Sequence, residues 1–245
     1  MNSLRALWKL ARALAHTVAG FATILVRFPR LEQAQRDARV QAWAFEMLAR
    51  LDIRLELRGQ APLAGPVLLV ANHISWLDIV VMHAARHCRF VSKADVRRWP
   101  LIGTLADGAG TLYIERESRR DAMRVVHHMT ESLENGEIVA VFPEGTTSDG
   151  LALLPFHGNL IQAAISADAP VQPVALSFLD TATRAMSRAP CYIDDDTLAA
   201  SVWRTLCAPG ITAVVHYGEP QLARGRDRRT WAGDLRSAVD GLRRS

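Results

Sequence analysis

The middle of the chain alternates short apolar runs with segments that have helical periodicity. PVLLVAN, CRFVSK, TLYIER and IVAVFPEG have the length and composition of buried strands, and helices are predicted near 76–85 and 119–133. Parallel strands need a long crossover connection, which a helix usually provides. The sequence therefore predicts an α/β fold, with a mainly parallel sheet flanked by helices and with polar site residues at the carboxyl ends of strands.

Further elements lie on both sides of this central region. IRLELRG alternates apolar with charged residues, and VQPVALSF and ITAVVHYGEP predict two more strands. The stretch 181–209 has weak periodicity and contains the acidic run 194–196, so we expect irregular structure with one short helix there. The tail from Arg226 predicts a basic C-terminal helix. No long linker interrupts residues 53–245, which are predicted to form one α/β domain.

Residues 1–52 are predicted to form a helical hairpin ahead of this domain. In the first helix a basic face opposes an apolar face, with Arg5, Lys9, Arg12 and His16 against Leu4, Leu7, Trp8, Leu14, Val18, Phe21 and Leu25. The stretch without Arg or Lys, 13–26, has 14 residues, whereas a bilayer span needs about 20. We expect an amphipathic helix in the membrane interface; a helix that packs on the body of the protein is the alternative.

The charge distribution favours an anionic partner. The formal net charge is +4, and arginines gather near both ends of the chain. A membrane surface or an acidic substrate fits this bias, and because no nucleic-acid-binding motif accompanies it, we expect no nucleic acid partner. Cys88, Cys191 and Cys207 lack metal-ligand spacing, which predicts reduced thiols and no metal site.

The stretch ANHISWLDI follows the apolar run PVLLVA and contains a histidine and an aspartate. On one continuous helix, His73 and Asp78 would lie about 140 degrees apart. If Ser75 caps the helix instead, His73 lies in the preceding turn, and its imidazole can fold back onto the carboxylate. Two interpretations fit this stretch: a catalytic pair, or a capping box next to a turn histidine.

Three more segments place polar or unusual residues at predicted strand ends. TLYIERES contains Arg116, which can bind phosphate or carboxylate. VFPEGTTSDG opens into Glu144, Gly145 and Thr146, where backbone N–H and hydroxyl groups can bind an anion. VQPVAL is a strand that contains a proline. Each segment alone also fits an ordinary surface charge, a turn or a strand edge.

Taken in order, NHISWLD, GTLYIER, FPEGTTS and VQPVAL resemble the four consecutive motifs of the glycerolipid acyltransferase family, typified by 1-acyl-glycerol-3-phosphate acyltransferases. The resemblance spans about 66–178, and the N-terminal hairpin resembles that of the family's bacterial members. It implies transfer of a fatty acyl group from acyl-carrier protein or acyl-CoA to a lysolipid hydroxyl. It also implies a monotopic or peripheral protein at the cytoplasmic face of the inner membrane, with membrane lipids as partners, and it does not indicate an oligomeric state.

The same resemblance implies roles for individual residues. His73 would be the general base that takes the proton of the acceptor hydroxyl, and Asp78 would orient its imidazole. Imidazole titrates near neutrality and a carboxylate stabilises its protonated form, which agrees with these roles. No metal or bound cofactor is implied, because the acyl thioester is a co-substrate. Substrate binding is implied for Lys93, Arg116, Glu144, Gly145 and Thr146.

Two positions depart from the family pattern. Thr147 stands where most relatives have a phosphate-binding arginine, and His157 stands where many have a lysine. Losing a guanidinium removes charge-assisted hydrogen bonds of about 1.5–3 kcal/mol each. The first prediction is acylation of 1-acyl-sn-glycerol-3-phosphate to phosphatidic acid. The alternative is acylation of lyso-ornithine lipid, which has no phosphate, and the third interpretation is a non-catalytic lipid-binding protein at the membrane surface.

Overall fold

A seven-stranded sheet forms the centre of the molecule in the computed structural model, which describes residues 2–114, 119–193 and 195–245. The order across the sheet is β1-β7-β6-β2-β5-β3-β4, and within the described residues all neighbours are parallel except β6 and β7. The predicted α/β fold with a mainly parallel sheet is confirmed. The strands are β1 (Ile53–Arg58), β2 (Val67–Ala71), β3 (Arg89–Lys93), β4 (Leu112–Ile114), β5 (Ile138–Val141), β6 (Val171–Asp180) and β7 (Ile211–Tyr217).

Helices precede the sheet and connect its strands, as the alternating pattern predicts. The stretch 181–209 contains the expected short helix, α7, but the short helix α4 lies where only a loop was expected. The sequence of α4, IGTLADG, contains two glycines and has no clear helical periodicity. The helices are α1 (Asn2–Val26), α2 (Gln33–Leu51), α3 (Leu77–Ala85), α4 (Ile102–Gly108), α5 (Arg119–Glu134), α6 (Gln162–Ser166), α7 (Leu198–Cys207) and α8 (Arg228–Arg244).

Strand β2 is buried on both faces of the sheet, and its side chains alternate between two hydrophobic layers. Leu69 belongs to the layer that includes residues of α2 and α3. Leu68 belongs to the opposite layer, which includes Met129 of α5 and Trp231 of α8. A strand covered on both faces is read in sequence as a continuous apolar run, which explains the composition of PVLLVAN.

Helix α1 turns Lys9 and His16 toward the body of the protein, whereas Arg5 is exposed and much of the apolar face points outward. Lys9 is buried, with its ammonium 3.3 Å from the carboxylate of Asp52, and His16 stacks on Trp43 with 5.3 Å between ring centroids. By length and composition, the helical stretch Ser3–Arg30 could also cross a membrane. The helix thus packs on the protein and still leaves an apolar face uncovered, formed by Leu4, Leu7, Trp8, Leu14, Val18, Leu25 and Val26.

We predict that Leu69→Ala lowers the free energy of unfolding by about 3 kcal/mol, because truncating a fully buried leucine leaves a cavity in the central strand. Urea denaturation followed by far-UV circular dichroism measures this change. Leu57→Ala is the control, since Leu57 lies on the edge strand β1 and is half exposed; we expect a loss of about 1 kcal/mol or less. Equal losses for the two variants would contradict the central position of β2.

Candidate active site

The carboxyl ends of β2, β5 and β3 lie at one edge of the sheet, and the candidate residues follow them. β2 and β5 are parallel neighbours, with Val70 opposite Val141. His73 and Glu144 each lie three residues beyond this pair, so the loops that carry them leave the sheet side by side. β3 pairs with β5 and ends at Lys93. Three of the residues singled out in the sequence therefore come from adjacent strand ends.

The imidazole of His73 is hydrogen-bonded to the carboxylate of Asp78. Nδ1–H of His73 donates to Oδ2 of Asp78 over 2.7 Å, and the same oxygen accepts the backbone N–H groups of Ile74 and Ser75 at 2.6 and 2.9 Å. Asp78 is fully buried in the first turn of α3, where the helix dipole favours a carboxylate. Because Nδ1 holds the shared proton, Nε2 is the nitrogen whose lone pair can accept a substrate proton.

The turn before α3 differs from the predicted cap in one respect. The helix begins at Leu77, and the Ser75 hydroxyl accepts the N–H of Leu77 over 3.2 Å rather than that of Asp78. Asp78 nevertheless reaches back to the N–H of Ser75, as a capping box requires. The two interpretations of ANHISWLDI are therefore compatible, because one carboxylate both starts the helix and holds the imidazole.

Glu144 links the loop after β5 to the loop that carries His73. One carboxylate oxygen accepts the backbone N–H of His73 over 2.7 Å, and the other accepts that of Leu154 over 2.9 Å. The residue is 3% exposed, and burial raises the pKa of its carboxyl against the opposing effect of these two hydrogen bonds. Since both oxygens are engaged by backbone, the geometry is that of a residue that positions the loops.

Further contacts fix the ring and the main chain of His73. The ring stacks on Phe142 with 4.0 Å between centroids, and the carbonyl of His73 accepts the N–H of Ser148 over 2.9 Å. The side-chain amide of Asn72 makes two hydrogen bonds with the backbone of Leu176 in β6, at 2.7 and 3.0 Å. The loop after β2 is thus attached to its neighbours on both sides, which holds the imidazole in one orientation.

A segment in the stretch expected to be irregular crosses both loops. We call residues 188–193 the crossing segment. The N–H of Tyr192 donates to the carbonyl of Ile74 over 3.1 Å, and the carbonyl of Tyr192 accepts the Thr147 hydroxyl. The carbonyl of Pro190 accepts the hydroxyl of Ser75. The sequence RAPCYI has no periodicity or motif, so nothing in the sequence pointed to this position over the site.

The remaining residues with an implied role in binding differ in their placement. Lys93 is exposed at the end of β3 and makes no ion pair with any residue that the structure describes. Gly145 has a φ of +73°, which favours glycine, and a Cβ built there would lie 3.5 Å from the ring of His157. Thr146 is exposed on the same loop. Arg116 lies outside the described residues.

The histidines away from this edge have other surroundings. Burial lowers the pKa of His83 to about 3, which keeps its imidazole neutral, and His87 lies 3.2 Å from the carboxylate of Asp37. Within the ranges that the structure describes, no group of three or more His, Cys, Asp or Glu side chains could hold a metal ion.

We predict that Glu144→Gln lowers the free energy of unfolding by about 1–3 kcal/mol. Glutamine has one carbonyl oxygen, so its amide group would face the N–H of His73 or Leu154 and leave a buried donor without an acceptor. Urea denaturation measures the change. The matched control is Glu131→Gln on the exposed part of α5, expected to stay within about 0.5 kcal/mol of the parent. If both variants are equally stable, Glu144 does not link the loops.

Comparisons with known proteins identify the family of the chain. A family model described as Acyltransferase matches residues 52–177. The lyso-ornithine lipid O-acyltransferase of Pseudomonas aeruginosa is 36% identical over 245 residues, which cover 98% of this chain and 93% of the relative. The 1-acyl-sn-glycerol-3-phosphate acyltransferase of Neisseria gonorrhoeae is 40% identical over 183 residues, which cover 74% of this chain and 71% of the relative.

A solved structure shares the fold. The crystal structure of the 1-acyl-sn-glycerophosphate (LPA) acyltransferase from Thermotoga maritima matches with a TM-score of 0.73 at 18% identity, over 99% of this chain and 96% of the other. The family model covers the segment that contains His73, Asp78 and Glu144. The chain therefore belongs to the acyltransferase family, and it is an O-acyltransferase.

Proposed function

We propose that this protein transfers a fatty acyl group from a thioester to the free hydroxyl of a lysolipid, with His73 as general base and Asp78 as its orienting partner. The observation that carries this assignment is the 2.7 Å hydrogen bond from Nδ1 of His73 to the buried carboxylate of Asp78. That bond leaves Nε2 as the base, and the carboxylate stabilises the imidazolium that forms when Nε2 takes a proton.

In the reaction, the acceptor hydroxyl oxygen attacks the carbonyl carbon of the thioester while Nε2 of His73 takes the hydroxyl proton. The new ester C–O bond forms, the C–S bond breaks, and the proton passes to the leaving thiolate. Direct attack needs no nucleophile from the protein, no metal and no bound cofactor. Acyl-carrier protein or CoA supplies the thioester. Lys93, an exposed cation at the same sheet edge, provides positive charge for the developing oxyanion or for an anionic substrate group. The family resemblance implies that Arg116 binds an anionic group of the acceptor.

We propose lyso-ornithine lipid as the acceptor. Thr147 stands at the position where the family pattern has a phosphate-binding arginine, and its hydroxyl donates to the carbonyl of Tyr192. Thr147 therefore binds the crossing segment and supplies no positive charge for a phosphate. The similarity to the Pseudomonas aeruginosa lyso-ornithine lipid O-acyltransferase over almost the whole chain supports this choice. The second candidate is 1-acyl-sn-glycerol-3-phosphate, which the similarity to the Neisseria enzyme favours.

We also propose that the protein lies at the cytoplasmic face of the inner membrane as a monotopic or peripheral protein. The uncovered apolar face of α1, which includes Trp8 and Leu14, is the surface that would enter the lipid. α1 packs on α7, and Ser201 of α7 donates to the carbonyl of Cys191 in the crossing segment. The helix at the membrane is thus connected to the site that needs a lipid acceptor.

We predict that the purified protein transfers a labelled acyl group from acyl-carrier protein or acyl-CoA to lyso-ornithine lipid. His73→Ala should reduce the rate by about 100- to 10,000-fold, because it removes the general base. Thin-layer chromatography of the products, with lysophosphatidic acid assayed in parallel, measures both points. His128→Ala, an exposed histidine on α5, is the control and should keep the parent rate.

Two results of this assay would contradict parts of the proposal. A His73→Ala variant with the parent rate excludes His73 as the base. Transfer to lysophosphatidic acid alone keeps the mechanism and replaces the acceptor.

We predict that the double variant Trp8→Ala, Leu14→Ala binds vesicles containing anionic lipid at least tenfold more weakly than the parent, because it removes exposed apolar area from α1. Vesicle co-sedimentation over a range of lipid concentrations measures the affinity. Leu63→Ala tests an apolar side chain that is 93% exposed and lies away from α1; it should bind like the parent. Equal binding by all three proteins would show that α1 does not contact the lipid.

A further inference from the structure

An open cleft of about 580 Å³ lies between the crossing segment and α7. The mechanism described above makes no use of it. Its lining consists of Arg188, Cys191, Ile193, Asp195, Asp196 and Arg204.

The cleft adjoins the loop that carries His73. Cys191 and Ile193 line it, and Tyr192 between them donates its N–H to the carbonyl of Ile74, the residue after His73. The Cys191 thiol lies 3.6 Å from the carbonyl of Asp149 in the loop after β5. The same backbone contacts that hold the catalytic loops therefore shape the cleft.

Arg204 and Asp196 form an ion pair within the cleft. The guanidinium of Arg204 binds both carboxylate oxygens of Asp196, at 2.8 and 3.3 Å, and donates to the carbonyls of Ala189 and Cys191. These bonds use all three nitrogens of Arg204. Arg204 therefore attaches the crossing segment to α7 and has no nitrogen left for a ligand.

The other two charged side chains are available for a ligand. Arg188 is 62% exposed and meets Asp149 only at 3.4 Å, a contact that solvent screens. Asp195 is exposed and makes no hydrogen bond or ion pair with the part of the chain that the structure describes. One accessible cation and one accessible anion in the same cleft match a ligand that carries both charges.

We propose that this cleft binds the head group of the lysolipid acceptor, and that this head group is a zwitterion with one carboxylate and one ammonium. Arg188 pairs with the carboxylate and Asp195 with the ammonium. An ornithine whose α-amine is acylated carries these two groups, so the assignment rests on the lyso-ornithine acceptor proposed above. A phosphate monoester has no positive group to offer, and the carboxylate of Asp195, unpaired within the described residues, would repel it.

The test is the steady-state kinetics of the full-length protein with lyso-ornithine lipid and with lysophosphatidic acid in mixed micelles. Arg188→Gln and Asp195→Asn should each raise KM for lyso-ornithine lipid about tenfold, because each removes a charge-assisted bond to the acceptor, and kcat should stay within about twofold. Asp195→Arg should raise that KM further and lower KM for lysophosphatidic acid. The matched controls are Arg39→Gln and Asp168→Asn, which change exposed charges elsewhere and should leave both constants as in the parent.

A soluble probe tests the charges separately from the lipid chain. Nα-acetyl-L-ornithine should inhibit the parent competitively with lyso-ornithine lipid, and Nα-acetyl-L-norvaline, which lacks the ammonium, should inhibit at least tenfold less. The Asp195→Asn variant should no longer distinguish the two probes.

The outcomes separate this proposal from the proposed function. If the parent, Arg188→Gln and Asp195→Asn all transfer efficiently to lyso-ornithine lipid with the same KM, the cleft does not bind the head group. The acceptor assignment would then still stand. A parent protein that acylates lysophosphatidic acid and not lyso-ornithine lipid overturns the acceptor and the zwitterion site together. If Arg188→Gln and Asp195→Asn both change kcat relative to the parent and leave KM unchanged, the two side chains act on the catalytic loops and do not bind the head group.

Discussion

The candidate site depends on one buried oxygen atom, Oδ2 of Asp78. It accepts hydrogen bonds from the imidazole of His73 and from two consecutive backbone N–H groups, all within 2.9 Å. Taking a carboxylate out of water is costly, and three donors to the charged form offset that cost. The same bonds fix the turn before α3 and the tautomer of the imidazole. Local folding and the proposed chemistry are therefore two results of a single interaction.

The parallel sheet places the neighbouring loops where they also support His73. Because β2 and β5 are in register, His73 and Glu144 each follow the paired residues Val70 and Val141 by three positions, and the carboxylate of Glu144 accepts the backbone N–H of His73. Asn72 makes the equivalent connection toward β6 on the other side. A base that must accept a proton at one position gains from such support, because each contact removes an alternative orientation of the ring.

The parts of the molecule that could be predicted from sequence are those with regular periodicity or a dense local motif. Continuous apolar runs indicated a sheet covered on both faces, and the spacing in ANHISWLDI allowed the pair His73 and Asp78 to meet. The position of the crossing segment could not be predicted, because its contacts with the Ser75 and Thr147 loops join residues more than 40 positions apart through its own backbone carbonyls, which leave no pattern in side-chain type. The roles of Lys93 and Arg116 rest on the family resemblance, since Lys93 has no described partner and Arg116 lies outside the described residues.

The orientation of α1 also could not be predicted from periodicity alone. An amphipathic pattern identifies two faces of a helix and does not say which one meets the protein. Here Lys9 and His16 have partners in Asp52 and Trp43, so these two polar side chains are satisfied inside the fold and the apolar face is left outward. A helix that leaves an apolar face outward must place it against another apolar medium or leave it in water, which costs about 25 cal/mol for each Å² exposed. A lipid surface would remove that cost, and because α1 packs on α7, which lines the cleft through Arg204, the proposed membrane contact and the proposed head-group site share one helix.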